Sequence, residues 1–251
     1  MENKQGRFIA SPNKTGLMRK VFIAVPAGQG SLTYDCHEAI IRNTHYLRDK
    51  GLEVVPYYHP CHIYIDMARN ICVDMFLSSD CDDFIFIDAD VGFDDDAIFK
   101  LLQHDKDIIA GVYPYRKEEE HEFPAIITFN NENNCQDEGT GLVYATVVPT
   151  GFMRVQRRVF EKIILLSKDN PENVYKIQKD SKGVYIFFRT GILFPDDNMW
   201  YGEDVAFCMW WKAMGGEIFI EPRINFTHTG FKQFKGNFHE YLLGRRTEET
   251  K

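Results

Sequence analysis

Phe84-Ile85-Phe86-Ile87-Asp88-Ala89-Asp90 is a run of four apolar residues closed by two aspartates with one small residue between them. A short continuous apolar run bounded by polar residues reads as a strand buried on both faces, here Asp83 to Ile87. If the chain stays extended through Asp90, residues i and i+2 point the same way. The two carboxylates would then share one side, about 7 Å apart. In an open α/β sheet, ligands sit outside the carboxyl ends of the strands, which is where this pair falls. Two hard oxygen donors there suit Mn²⁺ or Mg²⁺ and leave coordination positions for phosphate oxygens. A strand-end Asx turn is the plainer alternative.

The flanking chain repeats the same grammar. Val21 to Val25 is a first apolar strand, ended by Pro26-Ala27-Gly28-Gln29-Gly30. Thr33 suits the cap of a helix carrying Ala39, Ile40, Ile41 and Leu47 and stopping at Gly51. A strand over Leu52 to Tyr58 and a helix over Ile65 to Leu77 follow, the helix with a stripe of Ala68, Ile71, Cys72, Met75 and Phe76. Beyond Asp90 the pattern predicts a helix from Asp95 to His104 and a strand from Asp107 to Val112. This alternation implies an α/β fold: one domain, a mainly parallel central sheet, helices on both faces. The second half reads as a smaller β region on the acceptor side. Its strands are Pro124 to Phe129, Leu142 to Val148 and Val184 to Phe188, with a helix near Gln156 to Leu166. A final helix at Glu203 to Met214 leads to a strand at Glu217 to Ile220. Residues 1–19 are expected to be a lead-in, 20–232 the catalytic domain and 233–251 a C-terminal tail.

Composition narrows the class. The 251 residues are 44% hydrophobic and 26% charged, with a net charge of −8. Such a chain does not hold nucleic acid through a basic surface, although a modified DNA acceptor stays open. Eight aspartates lie between Asp80 and Asp96, whereas Arg223, Lys232, Lys235, Arg245 and Arg246 make the end basic. Brought together, the two regions would offer a cleft for a cation and a phosphate; apart, the acidic run is a solvated loop. The six cysteines have no C-x-x-C spacing and read as reduced thiols of a cytoplasmic protein. Met1 to Arg19 has no apolar core, so no signal peptide is expected, and no apolar run is long enough for a membrane span.

Other candidates carry chemistry. Glu203-Asp204 opens the last helix beside Trp200 and Tyr201. The carboxylates suit general-base work or plain N-capping, and the aromatics suit a sugar face. His228, in Phe226-Thr227-His228-Thr229-Gly230, is read in a turn past the last strand, as a third metal ligand or a structural histidine. Arg69 faces either a donor phosphate or a surface ion pair. Thr150-Gly151-Phe152 reads as the end of a buried strand, with Gly151 allowing close approach of a ligand.

In this order the features resemble the GT-A family of glycosyltransferases. The motifs are Val21 to Pro26, Asp88-Ala89-Asp90, Gly202-Glu203-Asp204 and His228. Ala68-Arg69-Asn70, Gly111-Val112-Tyr113 and Thr150-Gly151-Phe152 are similar to small glycosyltransferase domains of large algal viruses and phages. The resemblance spans about residues 20 to 230. It implies a metal-dependent transfer from a nucleotide-sugar, with UDP-sugar the expected donor, to a carbohydrate or glycoconjugate hydroxyl. Val25, Pro26, Ala27, Arg69 and Asp88-Ala89-Asp90 would meet the donor. Asp88, Asp90 and His228 would serve the metal, with Asp90 binding it directly. Asp204, then Glu203, are the candidates for the base, and Thr150, Gly151, Trp200 and Tyr201 for the acceptor or sugar. Two alternatives fit less well. A sugar-1-phosphate nucleotidyltransferase would want a basic residue in Pro26 to Ser31, and none is there. A carbohydrate-binding module would leave the aspartates without a task.

Overall fold

The computed structural model describes residues 18–28, 30–60, 64–117, 122–129, 134–169, 178–180, 182–192, 198–230 and 233–248. The first strand, β1 (Lys20–Ala27), is buried along all but its first residue. It pairs in parallel with β2 (Glu53–Pro60) and with β3 (Asp83–Ile87). Its side chains alternate between two cores. Phe22 and Ala24 join Cys72, Val73 and Phe76 of helix α2 (Ile65–Leu77). Val21, Ile23 and Val25 join Cys36, Ala39, Ile40 and Leu47 of helix α1 (Tyr34–Asp49). Helices therefore cover both faces, which is why β1 and β3 carry no polar face to solvent. Thr33 caps α1 as expected, its hydroxyl accepting from Cys36 N at 3.4 Å.

After β3 come β4 (Val91–Phe93), helix α3 (Ala97–Leu102) and β5 (Ile108–Ala110). Then follow β6 (Ile126–Ile127), β7 (Val143–Val147), β8 (Phe152–Gln156) and helix α4 (Arg157–Asp169). A small hairpin, β9 (Gln178–Lys179) and β10 (Tyr185–Ile186), precedes helix α5 (Glu203–Ala213) and β11 (Ile218–Ile220). The chain closes with β12 (Asn225–Thr229), β13 (Gln233–Asn237) and helix α6 (Phe238–Glu248). The central sheet runs β2-β1-β3-β8-β5-β11-β7-β6. Six strands point one way, and β8 and β7 point the other. The mainly parallel sheet expected from sequence is there, with an antiparallel insertion at its centre.

That insertion corrects the reading of Thr150-Gly151-Phe152, which begins a strand instead of ending one. The apolar run of β8 is broken by Arg154, and the break hid it. Arg154 is fully buried, its guanidinium on Asp83 Oδ1 (2.6 and 2.7 Å) and on the carbonyls of His104 and Lys106 (both 2.9 Å). A buried charge so paired is tolerable where a bare one is not.

A second sheet, β13-β12-β4, stands beside the first. His228 is therefore in a strand, opposite Val91 of β4 and Phe234 of β13, not in a turn. The stretch expected as a tail from residue 233 extends the folded unit instead. Its β13 pairs with β12 along five positions, and buried Phe238 packs its ring 5.3 Å from that of Phe123. The expected strand over 184–188 shortens to β10, because Asn70 Oδ1 accepts from both Phe187 N and Phe188 N at 2.8 Å. No described helix is long and apolar enough to cross a membrane. Cys36, Cys72, Cys81, Cys135 and Cys208 are free buried thiols.

Candidate active site

At Asp88 the chain leaves the central sheet for the second one. Val91 N donates to Asp88 O at 3.2 Å, closing a turn, so Asp88 and Asp90 do not continue the extended strand. The expected alignment of both carboxylates on one side is corrected by this turn, and the two serve different neighbours. Asp88 Oδ1 accepts from Arg69 Nη2 (3.0 Å) and Oδ2 from the Tyr113 hydroxyl (3.2 Å). Burial and the Asp88 charge push the Tyr113 phenol well above its ordinary range, which keeps its proton on for that bond. The Ala89 carbonyl accepts from Thr33 N at 2.9 Å, and its methyl packs against the α1-side core.

Arg69 is no surface ion pair. It is 4% exposed, and its Nε donates to Glu203 Oε1 at 3.0 Å while Nη2 holds Asp88. One guanidinium thus joins two acidic motifs far apart in sequence, as a planar fork of donors can. The Phe86 ring lies 5.1 Å from its centre. Burial opposes the Arg69 charge, but Asp88 and Glu203 outweigh it and hold the group above its ordinary range. Among the described residues its Nη1 is buried without a hydrogen-bond partner. The inner face of α2 is accordingly wider than the apolar stripe suggests: Arg69 and Asn70 are buried, whereas Met75 is exposed.

Glu203 and Asp204 sit in the first turn of α5, where Gly202 is the N-cap and offers no side-chain bond. Asp204 Oδ1 accepts from Val205 N at 2.7 Å. Burial first, then the neighbouring Glu203 charge, raise the Asp204 carboxyl above the usual carboxylate range. Trp200 is 73% exposed and free to stack, but Tyr201 is 9% exposed and bound to Gly191 by two backbone hydrogen bonds. The platform expected of both aromatics therefore reduces to Trp200.

Thr150 is buried at 2% exposure. A Cβ on Gly151 would lie 2.3 Å from both Asp88 Oδ2 and the Tyr113 oxygen. The missing side chain thus makes room for Asp88, not for a ligand, and neither residue presents a surface to an acceptor. Val25, Pro26 and Ala27 are buried as well, so any ligand there would meet backbone.

Asp90 faces the second sheet. Its carboxylate is paired with Arg116, and His228 Nε2 stands 3.7 Å from its Oδ1. His228 Nδ1–H donates to the Pro114 carbonyl at 2.8 Å, leaving Nε2 as the lone pair toward Asp90. Burial of the ring, with the Arg116 charge, holds the imidazole below its ordinary range and so neutral at pH 7. A carboxylate and a neutral imidazole this close fit one cation, since each would lie about 2.1 Å from it. An imidazole whose other nitrogen is tied to a carbonyl is oriented for that task. Among the described residues no three His, Cys, Asp or Glu side chains gather as a complete metal cage. Asp88, expected as a ligand, spends both oxygens on Arg69 and Tyr113.

Two residues here have little signal in the sequence: Tyr113 stands out only as part of Gly111-Val112-Tyr113, and Arg116 only as a basic residue in the loop that follows β5 at the carboxyl edge of the sheet. Of the acidic run and the basic C-terminal stretch, Asp94 and Lys235 line one concavity, whereas Lys232 and the side chains of Arg245 and Arg246 lie outside the described residues. Asp80 pairs with Lys20, Asp83 with Arg19 and Arg154, Asp95 with Arg42, and Asp94 and Asp96 with Lys100. Asp82 accepts from Lys20 N, and Arg223 pairs with Glu221. A concavity of about 830 Å³ runs between α1, β12, β13 and α6, and none of Asp88, Asp90, Glu203, Asp204 and His228 lines it.

No family model and no curated protein sequence matches the chain. Among solved structures it is similar to A197 from STIV, with a TM-score of 0.48 and 16% identity over 88% of this chain and 91% of that one. It is also similar to S. aureus TarS 1-349, with a TM-score of 0.32 and 10% identity over 58% of this chain and 49% of that one. At these scores neither likeness bears on function, which must be read from the side chains.

Proposed function

We propose that the chain is a divalent-metal-dependent glycosyltransferase of the GT-A type, moving a sugar from a nucleotide-sugar, a UDP-sugar in particular, to a glycan hydroxyl. The observation that carries this reading is the Arg69 bridge. It gathers Asp88 and Glu203, from two acidic motifs, at the carboxyl end of β3, next to a carboxyl raised above its ordinary range. A buried guanidinium drawing two carboxylates together beside the raised Asp204 carboxyl supports a reacting centre there.

Asp90 and His228 would hold Mn²⁺ or Mg²⁺. Such a cation, when bound, offsets the negative charge that collects on the departing diphosphate oxygen. Asp204 acts as the base: as the acceptor oxygen bonds to the anomeric carbon and the bond to the diphosphate breaks, its carboxylate takes the hydroxyl proton. The raised carboxyl supports that role, because a base works best when its proton affinity approaches the working pH. Arg69 fixes Asp88 and Glu203 around the sugar, and exposed Trp200 offers a stacking face to the acceptor. The absence of any basic residue between Pro26 and Thr33 counts against a nucleotidyltransferase.

A panel of UDP-sugars with Mn²⁺, assayed for UDP release with and without a glycan acceptor, tests the reading. Turnover should vanish in EDTA and in Asp90→Ala. Full activity under both conditions would remove the metal from the mechanism. No turnover with any nucleotide-sugar in the panel would sink the transferase reading.

A further inference from the structure

The place where Asp90 and His228 would meet a cation already contains a positive group. Arg116 Nη2 is paired with Asp90 Oδ2, and Arg116 Nε donates to His228 Nε2 at 3.1 Å. Both acceptors therefore direct their lone pairs at one guanidinium. The imidazole accepts there because its Nδ1–H is spent on the Pro114 carbonyl. A guanidinium and a divalent ion cannot share those lone pairs, and their like charges repel at this range.

We propose that Arg116 is the resident counter-cation of the Asp90–His228 pair, and that a divalent ion binds only by displacing it. The proposal rests on the reading of Asp90 and His228 as metal ligands. The geometry suits an exchange of this kind. Pro114, two residues before Arg116, orients His228 through its backbone, so the imidazole stays aligned while the Arg116 side chain swings away. The Arg116 side chain is 42% exposed and has solvent to enter. The metal-free site is thereby kept paired, and the occupancy of the open arrangement sets the apparent metal affinity. An ion pair exposed to this degree biases an equilibrium by up to about fivefold. Removing a positive charge beside an incoming dication adds to that, so about five- to tenfold is expected in all.

The test is Mn²⁺ binding to the nucleotide-free protein, read as the free-Mn²⁺ electron paramagnetic resonance signal. Wild type, Arg116→Gln, Arg116→Lys and Asp90→Ala are titrated side by side. Arg116→Gln should bind Mn²⁺ about five- to tenfold tighter than wild type. Arg116→Lys, which keeps the charge but loses the fork, should fall between them. Equal or weaker binding by Arg116→Gln, with Asp90→Ala still abolishing it, overturns the competition and leaves the ligand assignment intact. Wild-type binding by Asp90→Ala overturns the ligand assignment itself. Absence of Mn²⁺ binding in every variant overturns both.

Discussion

Asp204 is the residue on which the proposed proton transfer turns, and its environment makes two separable predictions. Burial and Glu203 raise its carboxyl, so the ionised form is disfavoured in the folded protein. With the folded value above the unfolded one, its contribution to stability is present below the unfolded value and is lost as pH rises through the folded one. Asp204→Asn should therefore raise the Tm at neutral pH, and the gain should vanish in acid. The same change should lower turnover by about 10²–10⁴-fold and remove the acid limb of the pH–rate profile, with donor affinity little altered. Calorimetry and kinetics on one variant check both, and unchanged turnover would move the base elsewhere. Gly151 supplies a second prediction. With no room for a Cβ against Asp88 and Tyr113, Gly151→Ala should cost about 1–3 kcal/mol, the usual scale of overpacking. It should also reduce activity by displacing Asp88. A variant as stable and active as wild type would show that the Asp88–Tyr113 contact is dispensable.

At the scale of elements, the second sheet decides whether His228 can act. β12 is held by β4 on one side and β13 on the other. A chain ending at residue 232 loses β13 and α6, including buried Phe238. Burial of one such ring contributes about 1.5–3 kcal/mol, so the Tm should fall by roughly 3–12 °C. The eight-stranded sheet contains none of the deleted residues and should persist in circular dichroism. Metal binding through His228 should weaken. Unaltered Mn²⁺ binding by this truncation would show that β4 alone aligns β12. Sequence made some elements legible and not others for specific reasons. The bounds of β3 follow from an uninterrupted apolar run, and those of α2 from helical spacing even though Arg69 and Asn70 join its buried face. β8 was concealed by the buried Arg154. β12, with Asn225, Thr227, His228 and Thr229, carries too little apolar character to stand out from a turn.

For the whole molecule, a ligand that binds only the folded state raises stability by an amount set by its concentration relative to Kd. At a hundredfold excess over Kd that is about 2.7 kcal/mol, or roughly 5–11 °C in Tm for a chain of this size. UDP with Mn²⁺ should produce a shift of that order, and EDTA should remove most of it. Stabilisation by free sugar with no response to UDP would favour a carbohydrate-binding module over a transferase.

Local physics written into short stretches determined much of this protein. Apolar runs that can be buried only on both faces fixed β1 and β3, helical spacing fixed α1 and α2, and Asp88-Ala89-Asp90 at a strand end pointed to the place proposed for the site. These signals are legible because they depend on near neighbours in the chain. What the tertiary structure alone decided is which charges meet. Arg69 reaches Glu203 across 134 positions, Arg116 reaches His228 across 112, and Asp83 finds Arg154 across 71. Such pairings cannot be read along the chain. A charged side chain is buried only where a partner arrives from another element, and that arrival is settled by the order of strands in the sheet.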